Sequence, residues 1–367
     1  MAARMTKRPD GRYAVKVTTP DGPKFAYGKT QAQARTKAKE MQDRLNVGAP
    51  VRDSTRSLGE WLDEWTLTFL KASNRSRKYK SEQARYVRVW LKPHLGSVPL
   101  SRLNVADVTR LMLAMEKAGN QAESRNCCLK ALRAALDDAV TNRLLAVNVA
   151  REMKSPKVPM KKARAMRPEQ VGALLTAAEG LRYAPILRLL LATGMRKGEV
   201  CALRWADVDL DRREAQVNGS ADRVDGLLAV SGAKTVESLR TVSLGDAGTA
   251  LLRSQKAAQA VERLAAGTQW TDSGFVFTTK FGGPVEPRSA VNRTVEIARG
   301  KVGLEWVHPH TLRHTYATIA LQNKVPLHVV SENLGHDDPA FTARIYAHVT
   351  QEAAQEAADT VSAVLGL

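Results

Sequence analysis

Four successive runs of apolar residues at helical spacing, between Ser57 and Val140, constrain this chain more than any other feature. In the first, Leu58, Trp61, Leu62, Trp65 and Phe69 recur at i, i+3, i+4, i+7 and i+11, one face of an amphipathic helix. Ser57-x-x-Glu60 supplies a capping box at its start. Ala84, Val87, Trp90 and Leu91 mark a second helix, Val108, Leu111, Met112 and Met115 a third, and Leu129, Leu132, Leu136 and Val140 a fourth. Joined by short loops, such stripes are buried most simply against one another, so the spacing predicts an all-α bundle over residues 57–152. The Trp and Met residues of these stripes read as core, not as a cofactor box.

The flanks read differently. In residues 1–50, Tyr13, Val15 and Val17 alternate with polar or small residues as a half-buried strand does. Pro20-Asp21-Gly22-Pro23 reads as a turn and Lys24–Tyr27 as the returning strand. Thr30-x-x-Gln33 then opens a helix with Ala34, Ala38, Met41 and Leu45 on one face. Residues 153–164, with two prolines and five basic residues, read as an extended basic linker. Residues 165–367 are mainly helical, with strand-like pieces at Glu214–Asn218, Leu227–Val230 and Leu239–Leu244. The expected fold is therefore multidomain: a small α+β N-terminal module, an all-α helical bundle, and a mainly α domain with a small antiparallel sheet.

Charge narrows the partner. Of the formal net charge of +19, +7 falls in residues 1–50, +9 in 51–160 and +3 in the remainder. A polyanion is the natural complement, gripped chiefly by the first two segments. The candidate contacts are Arg12 and Lys16 in the N-terminal module, Arg75, Arg77, Lys78 and Lys80 at a helix junction, and Lys161 and Lys162 in the linker. A hydrophobic content of 44% without blocks of like charge argues for folded domains rather than a basic tail. No apolar run reaches the eighteen residues of a membrane span, and the N-terminus lacks the apolar region of a signal peptide. Cys127, Cys128 and Cys201 suit a reducing cytosol and have no metal-ligand spacing. The expected location is the cytoplasm.

The chemistry lies near the C-terminus. Pro309 precedes a run with Leu312, Tyr316, Ile319 and Ala320 on one helical face, and His310 and Arg313 share a face where that helix begins. A second helix should start near Pro326, bury Val330 and Leu334 and stop at Gly335, leaving His336 just past its end. Asp338-Pro339 restarts a helix striped by Phe341, Ile345 and Val349, with Tyr346 at the edge of the stripe. His310-x-x-Arg313-His314, then Leu334-Gly335-His336, then Tyr346 resembles the second half of the tyrosine recombinase signature. Thr193-Gly194-Met195-Arg196-x-Gly198-Glu199 resembles the box holding the first arginine of that family. Lys234-Thr235-x-x-Ser238-x-Arg240 resembles its β-hairpin lysine motif, and residues 1–50 resemble the N-terminal arm-binding domain of phage-type integrases.

The resemblance implies a site-specific recombinase that cuts and rejoins DNA through a 3′-phosphotyrosyl link, with no cofactor, metal or ATP. Arg196 and Arg313 would clamp the scissile phosphate, Tyr346 attack it, and His310 act as general base. Lys234 would protonate the leaving 5′-oxygen, and His336 hold the phosphate in line. Implied partners are double-stranded attachment-site DNA, three further copies of the chain in a tetramer, and DNA-bending and directionality factors, all in a bacterial host. Two other readings share the motifs: a type IB topoisomerase, and a DNA-binding regulator without activity. The C-terminal segment, with Ala354, Ala357, Val361, Val364 and Leu365 at helical spacing, would pack in cis or dock on a neighbouring subunit.

Overall fold

The protein is described by a computed structural model, covering residues 5–19, 22–46, 56–159, 164–232, 239–335, 362 and 365. It divides into two compact units, Met1–Pro159 and Met160–Leu367.

In the first unit, β1 (Met5–Lys7), β2 (Tyr13–Thr19) and β3 (Gly22–Gly28) form an antiparallel sheet in the order β1-β2-β3. The short β1 was not legible in the sequence. Helix α1 (Gln31–Asn46) packs on the sheet, and Val15, Val17, Ala26, Ala34 and Ala38 are the small core between them. Thr30 Oγ1 accepts from the backbone N–H of Gln33 at 3.2 Å, as the capping signal requires. The alternation of β3 buries Ala26 and turns Phe25 and Tyr27 outward, where Lys16 pairs across from Phe25.

The helical bundle follows. Helix α2 (Leu58–Glu64) runs into a π-helical turn, Trp65–Leu70; α3 (Arg77–Tyr86) runs through another, Val87–Leu91, into α4 (Lys92–Leu95). Helices α5 (Val105–Lys117) and α6 (Ala122–Thr141) complete it. Ser57 and Glu60 form the expected capping box, and Leu58, Trp61, Leu62, Trp65, Leu111, Met115, Leu129, Leu132 and Leu136 are buried together. Both buried indoles of the bundle have their N–H satisfied: Trp61 donates to Ala135 O at 2.8 Å and Trp65 to Asp138 Oδ2 at 2.7 Å. In the second helix the buried residues are Gln83, Tyr86, Val87 and Leu91, while Ala84 and Trp90 are only half-buried. Val140 is likewise half-buried, and Ala139 takes the inner position. The chain leaving the bundle stays on it: Arg133 donates to Ala150 O and Met153 O, and Asn126 to Pro156 O.

The second unit opens with α7 (Pro168–Ala177), α8 (Ala184–Thr193) and α9 (Lys197–Ala202). Its strands are β4 (Val208–Asp209), β5 (Glu214–Val217), β6 (Gly219–Val224), β7 (Leu227–Gly232) and β8 (Arg240–Ser243). They make two antiparallel sheets rather than one, β4-β5-β8 and the β6-β7 hairpin. The hairpin turns at Asp225-Gly226, both with positive φ, the geometry of a two-residue type I′ loop. Helices α10 (Gly245–Ala266), α11 (Arg293–Lys301), α12 (Pro309–Gln322) and α13 (Leu327–Leu334) follow. Helix α12 departs from the one-faced stripe expected of it. Thr311, Leu312, Arg313, Thr315, Ala317, Thr318 and Leu321 are buried, whereas Tyr316, Ile319 and Ala320 are half-buried. A helix enclosed on most sides cannot be read from a single apolar face.

Candidate active site

Among the described residues, the site forms where three helix ends meet. Helix α8 stops at Gly194 in the left-handed conformation (φ +66°), which lets the Tyr316 ring of α12 lie against its Cα, where a Cβ would come within 2.4 Å of the ring. Two residues on, Arg196 is the N-cap of α9. Its N–H donates to Glu199 Oε2 at 2.7 Å and its Nη1 to Glu199 Oε1 at 2.9 Å. Helix α13 ends as expected at Gly335, also left-handed (φ +59°), with Val330 and Leu334 buried.

The last carbonyls of α13 are the hub. Asn333 O accepts from Arg240 Nε at 2.9 Å, Leu334 O from Arg313 Nη2, and Gly335 O from Arg196 Nη2 at 2.9 Å. Three guanidinium groups thus take three successive carbonyls at the negative end of one helix, where cations are favoured. Arg313, 3% exposed, also donates from Nη1 to Gly194 O at 2.8 Å, tying the ends of α8 and α13 together. Arg196 is the open one, its side chain 45% exposed. Arg240 is enclosed, and it grips Glu199 with both Nη atoms at 3.1 and 2.7 Å. Burial works to raise the Glu199 pKa, but the bonds and charge of Arg240, then of Arg196, overcome it and hold the carboxyl below the usual range.

His310 lies in the first turn of α12, its ring centroid 4.5 Å from that of His314 in an edge-on contact. It is exposed on one side, yet its pKa is lowered from 6.5 to about 4. Desolvation by the surrounding protein is the larger cause; His314, Arg313, His308 and Arg196 add positive charge that disfavours the imidazolium. His314 is lowered in the same direction, by burial and then Arg313. His308 caps the helix, its Nδ1 accepting from the N–H of Thr311 at 3.1 Å. Among the described residues, no three His, Cys, Asp or Glu side chains gather as a metal site would need.

Of the six catalytic candidates, Arg196, His310 and Arg313 come together here. Lys234, His336 and Tyr346 lie outside the described residues, as do the helix expected after Asp338-Pro339 and the C-terminal stripe apart from Leu365. Lys234 is flanked by β7 and β8, which pair in different sheets. Arg240, a hub of the site, was only the last letter of a motif in the sequence.

The basic candidates are spread over exposed surfaces. Arg12 is exposed but ion-paired to Asp10 at 2.8 Å, and Lys16 lies open on the sheet. Arg75, Arg77 and Lys78 are exposed around the α2–α3 junction, with Arg75 over the Tyr79 ring. Lys80 is half-buried and donates to Lys71 O at 2.7 Å, so its ammonium closes that junction. Lys161 and Lys162 lie outside the described residues.

A mainly helical unit that bonds two arginines to the carbonyls of Leu334 and Gly335, with a histidine close enough to feel the charge of both, is that of a tyrosine recombinase. The chain belongs to the phage integrase family, whose model matches residues 164–353. It is 25% identical over 92% of its length, and 90% of the relative's, to a XerC-like tyrosine recombinase of Caldanaerobacter subterraneus subsp. tengcongensis. A XerC tyrosine recombinase of Xanthomonas campestris pv. campestris is 30% identical over 69% of this chain and 72% of its own. An integrase of Streptomyces ambofaciens is 27% identical over 87% and 83%. Among solved structures, the Tn1549 transposon integrase in complex with transposon right end DNA superposes with a TM-score of 0.69 at 18% identity, covering 82% of this chain and 99% of that one. A lambda integrase from a tetramer bound to a Holliday junction gives 0.61 at 18% identity, covering 93% and 94%. These two likenesses establish the fold.

Proposed function

We propose that this recombinase cuts and rejoins double-stranded DNA at attachment sites, moving a phage or other mobile element in a bacterial cytoplasm. The observation that carries the reading is that Arg196 and Arg313 are both bonded to the carbonyls ending α13, with their charges acting on His310 beside them. In-line attack by the Tyr346 hydroxyl forms the Tyr–O–P bond and breaks the bond from phosphorus to the 5′-oxygen. The phenol proton passes to His310, which is neutral near pH 7 and so carries an unprotonated ring nitrogen. Lys234 gives a proton to the departing 5′-oxygen. The transition state carries extra negative charge on the non-bridging oxygens, which permanently charged, fork-shaped arginines stabilise. The exposed part of Arg196 is available for this directly. The phosphodiester energy is kept in the 3′-phosphotyrosyl link, so rejoining to a new strand needs no ATP.

Double-stranded DNA would be gripped by the exposed basic residues of the first unit, including Lys16, Arg75, Arg77 and Lys78, with Arg12 released from Asp10. Four copies would assemble on paired sites, as the lambda integrase tetramer does on its Holliday junction. A DNA-bending host protein and a directionality factor would complete the assembly. The test is a nicked suicide substrate, on which the parental protein accumulates a covalent protein–DNA adduct. Tyr346→Phe should bind the same DNA and form none; an adduct in that variant would reveal another nucleophile and overturn the assignment.

A further inference from the structure

Of the three guanidinium groups bonded to the end of α13, the proposed chemistry uses Arg196 and Arg313 and has no use for Arg240. It lies on β8, is enclosed, and makes three directed bonds, to Asn333 O and to both oxygens of Glu199. Glu199 is 7% exposed and accepts four hydrogen bonds, two from Arg196 and two from Arg240, which fills the acceptor capacity of a carboxylate. The charged groups facing it are Arg196 on its own helix and Arg240 from β8. A buried carboxylate needs one full counter-charge. With Arg240 present, that counter-charge is the enclosed guanidinium, and the charge of Arg196 is left over.

We infer that Arg240 is a positioning residue of the cleavage reaction, neutralising Glu199 so that the charge of Arg196 remains available to the scissile phosphate. The same side chain fixes the turn that Arg196 and Arg313 also grip. Without it, Glu199 would draw the charge of Arg196 to itself, and the site would face the phosphate with one positive charge fewer. The role rests on the strand-cleavage reading given above. It differs from a packing role because it depends on the sign of the charge at residue 199.

The experiment measures single-turnover adduct formation on the suicide substrate at saturating DNA, between about pH 5.5 and 9, for the parental protein, Arg240→Met and Arg240→Met/Glu199→Gln. Arg240→Met should slow adduct formation on the order of a hundredfold, the usual cost of one lost charge-stabilising group, without a matching loss of DNA affinity. Its rate relative to the parental protein should rise as pH falls, because protonating Glu199 releases Arg196. The double variant has the parental net charge at the site. It should recover to within about tenfold of the parental rate and lose that extra pH dependence.

An Arg240→Met rate within about threefold of parental overturns the inference. A double variant as slow as the single, with no extra ionisation in either, overturns it too and leaves Arg240 a packing residue. If a thermal melt shows Arg240→Met unfolded, the double variant decides, since it buries no uncompensated charge: recovery supports the role, and about hundredfold slowing refutes it. A parental protein that forms no adduct fails differently, sinking the cleavage reading and this role with it.

Discussion

Replacing Gly335 by Ala tests how tightly the carbonyl hub is built. Gly335 has φ +59°, and an L-residue held there costs roughly 1–2 kcal/mol. The added Cβ would also stand 2.9 Å from Arg240 Nη1 and 3.1 Å from its Cδ and Cζ. That guanidinium is no loose chain end, because Nε is bonded to Asn333 O and both Nη atoms to Glu199. Moving it by a few tenths of an ångström weakens at least one charge-assisted bond, each contributing about 1.5–3 kcal/mol when intact. Taking about half of one bond with the backbone term gives a total near 2–3 kcal/mol.

Gly180 is the control. It too is left-handed, at φ +78°, but a Cβ there meets nothing within 4 Å, so Gly180→Ala should cost only the backbone term. Native-state hydrogen exchange of buried amides in β8 and α12 reads the opening free energy of this unit without assuming that the whole chain unfolds in one step. Adduct formation should fall in Gly335→Ala and stay near parental in Gly180→Ala. If the two variants cost the same to within about 0.5 kcal/mol, the hub yields freely and the account of its rigidity is wrong.

Other outcomes follow from the same contacts. Arg313→Lys keeps the charge, but one ammonium cannot hold Gly194 O and Leu334 O as the fork does, so adduct formation should drop at least about a hundredfold; near-parental single-turnover rates would refute the clamp. The folded-state pKa of His310 lies below its unfolded value, so the unfolded chain binds more protons between the two. Stability from this group is therefore full above about pH 6.5 and lost as pH falls toward about 4, and His310→Gln should flatten that part of a melting-temperature profile in DNA-free protein. Deleting residues 356–367 should spare single-site DNA binding and remove or deregulate the synaptic tetramer; unchanged tetramers on native gels and parental recombination would make the tail a cis-packing element.

Much of the architecture is local and was legible in the residues themselves. The bundle helices follow from apolar spacing, the start of α2 from Ser57-x-x-Glu60, and the ends of α8 and α13 from Gly194 and Gly335. Each of these signals acts within a turn or two of the chain, where neighbours in sequence are also neighbours in space. The Asp225-Gly226 turn is a signal of the same local kind, and with it β6, which the strand pieces expected from the sequence do not include. The pairing of β4 and β8 with β5 could not be found that way, since a two-residue strand has too little alternation to register.

From the residues alone, Arg196, His310 and Arg313 can be assigned to a recombinase motif; what they are bonded to depends on how the distant parts of the chain fold together. Arg240 reaches a carbonyl 93 residues away, Arg313 one 119 residues away and Arg196 one 139 residues away. Nothing in the residues around 240 says that its charge will be spent on Glu199, because a buried ion pair is set by which surfaces the fold brings together. The same holds for α12. Its sequence shows one apolar face, but packing closes around Arg313, Thr315 and Thr318 as well, each with polar atoms that only a finished tertiary structure can satisfy.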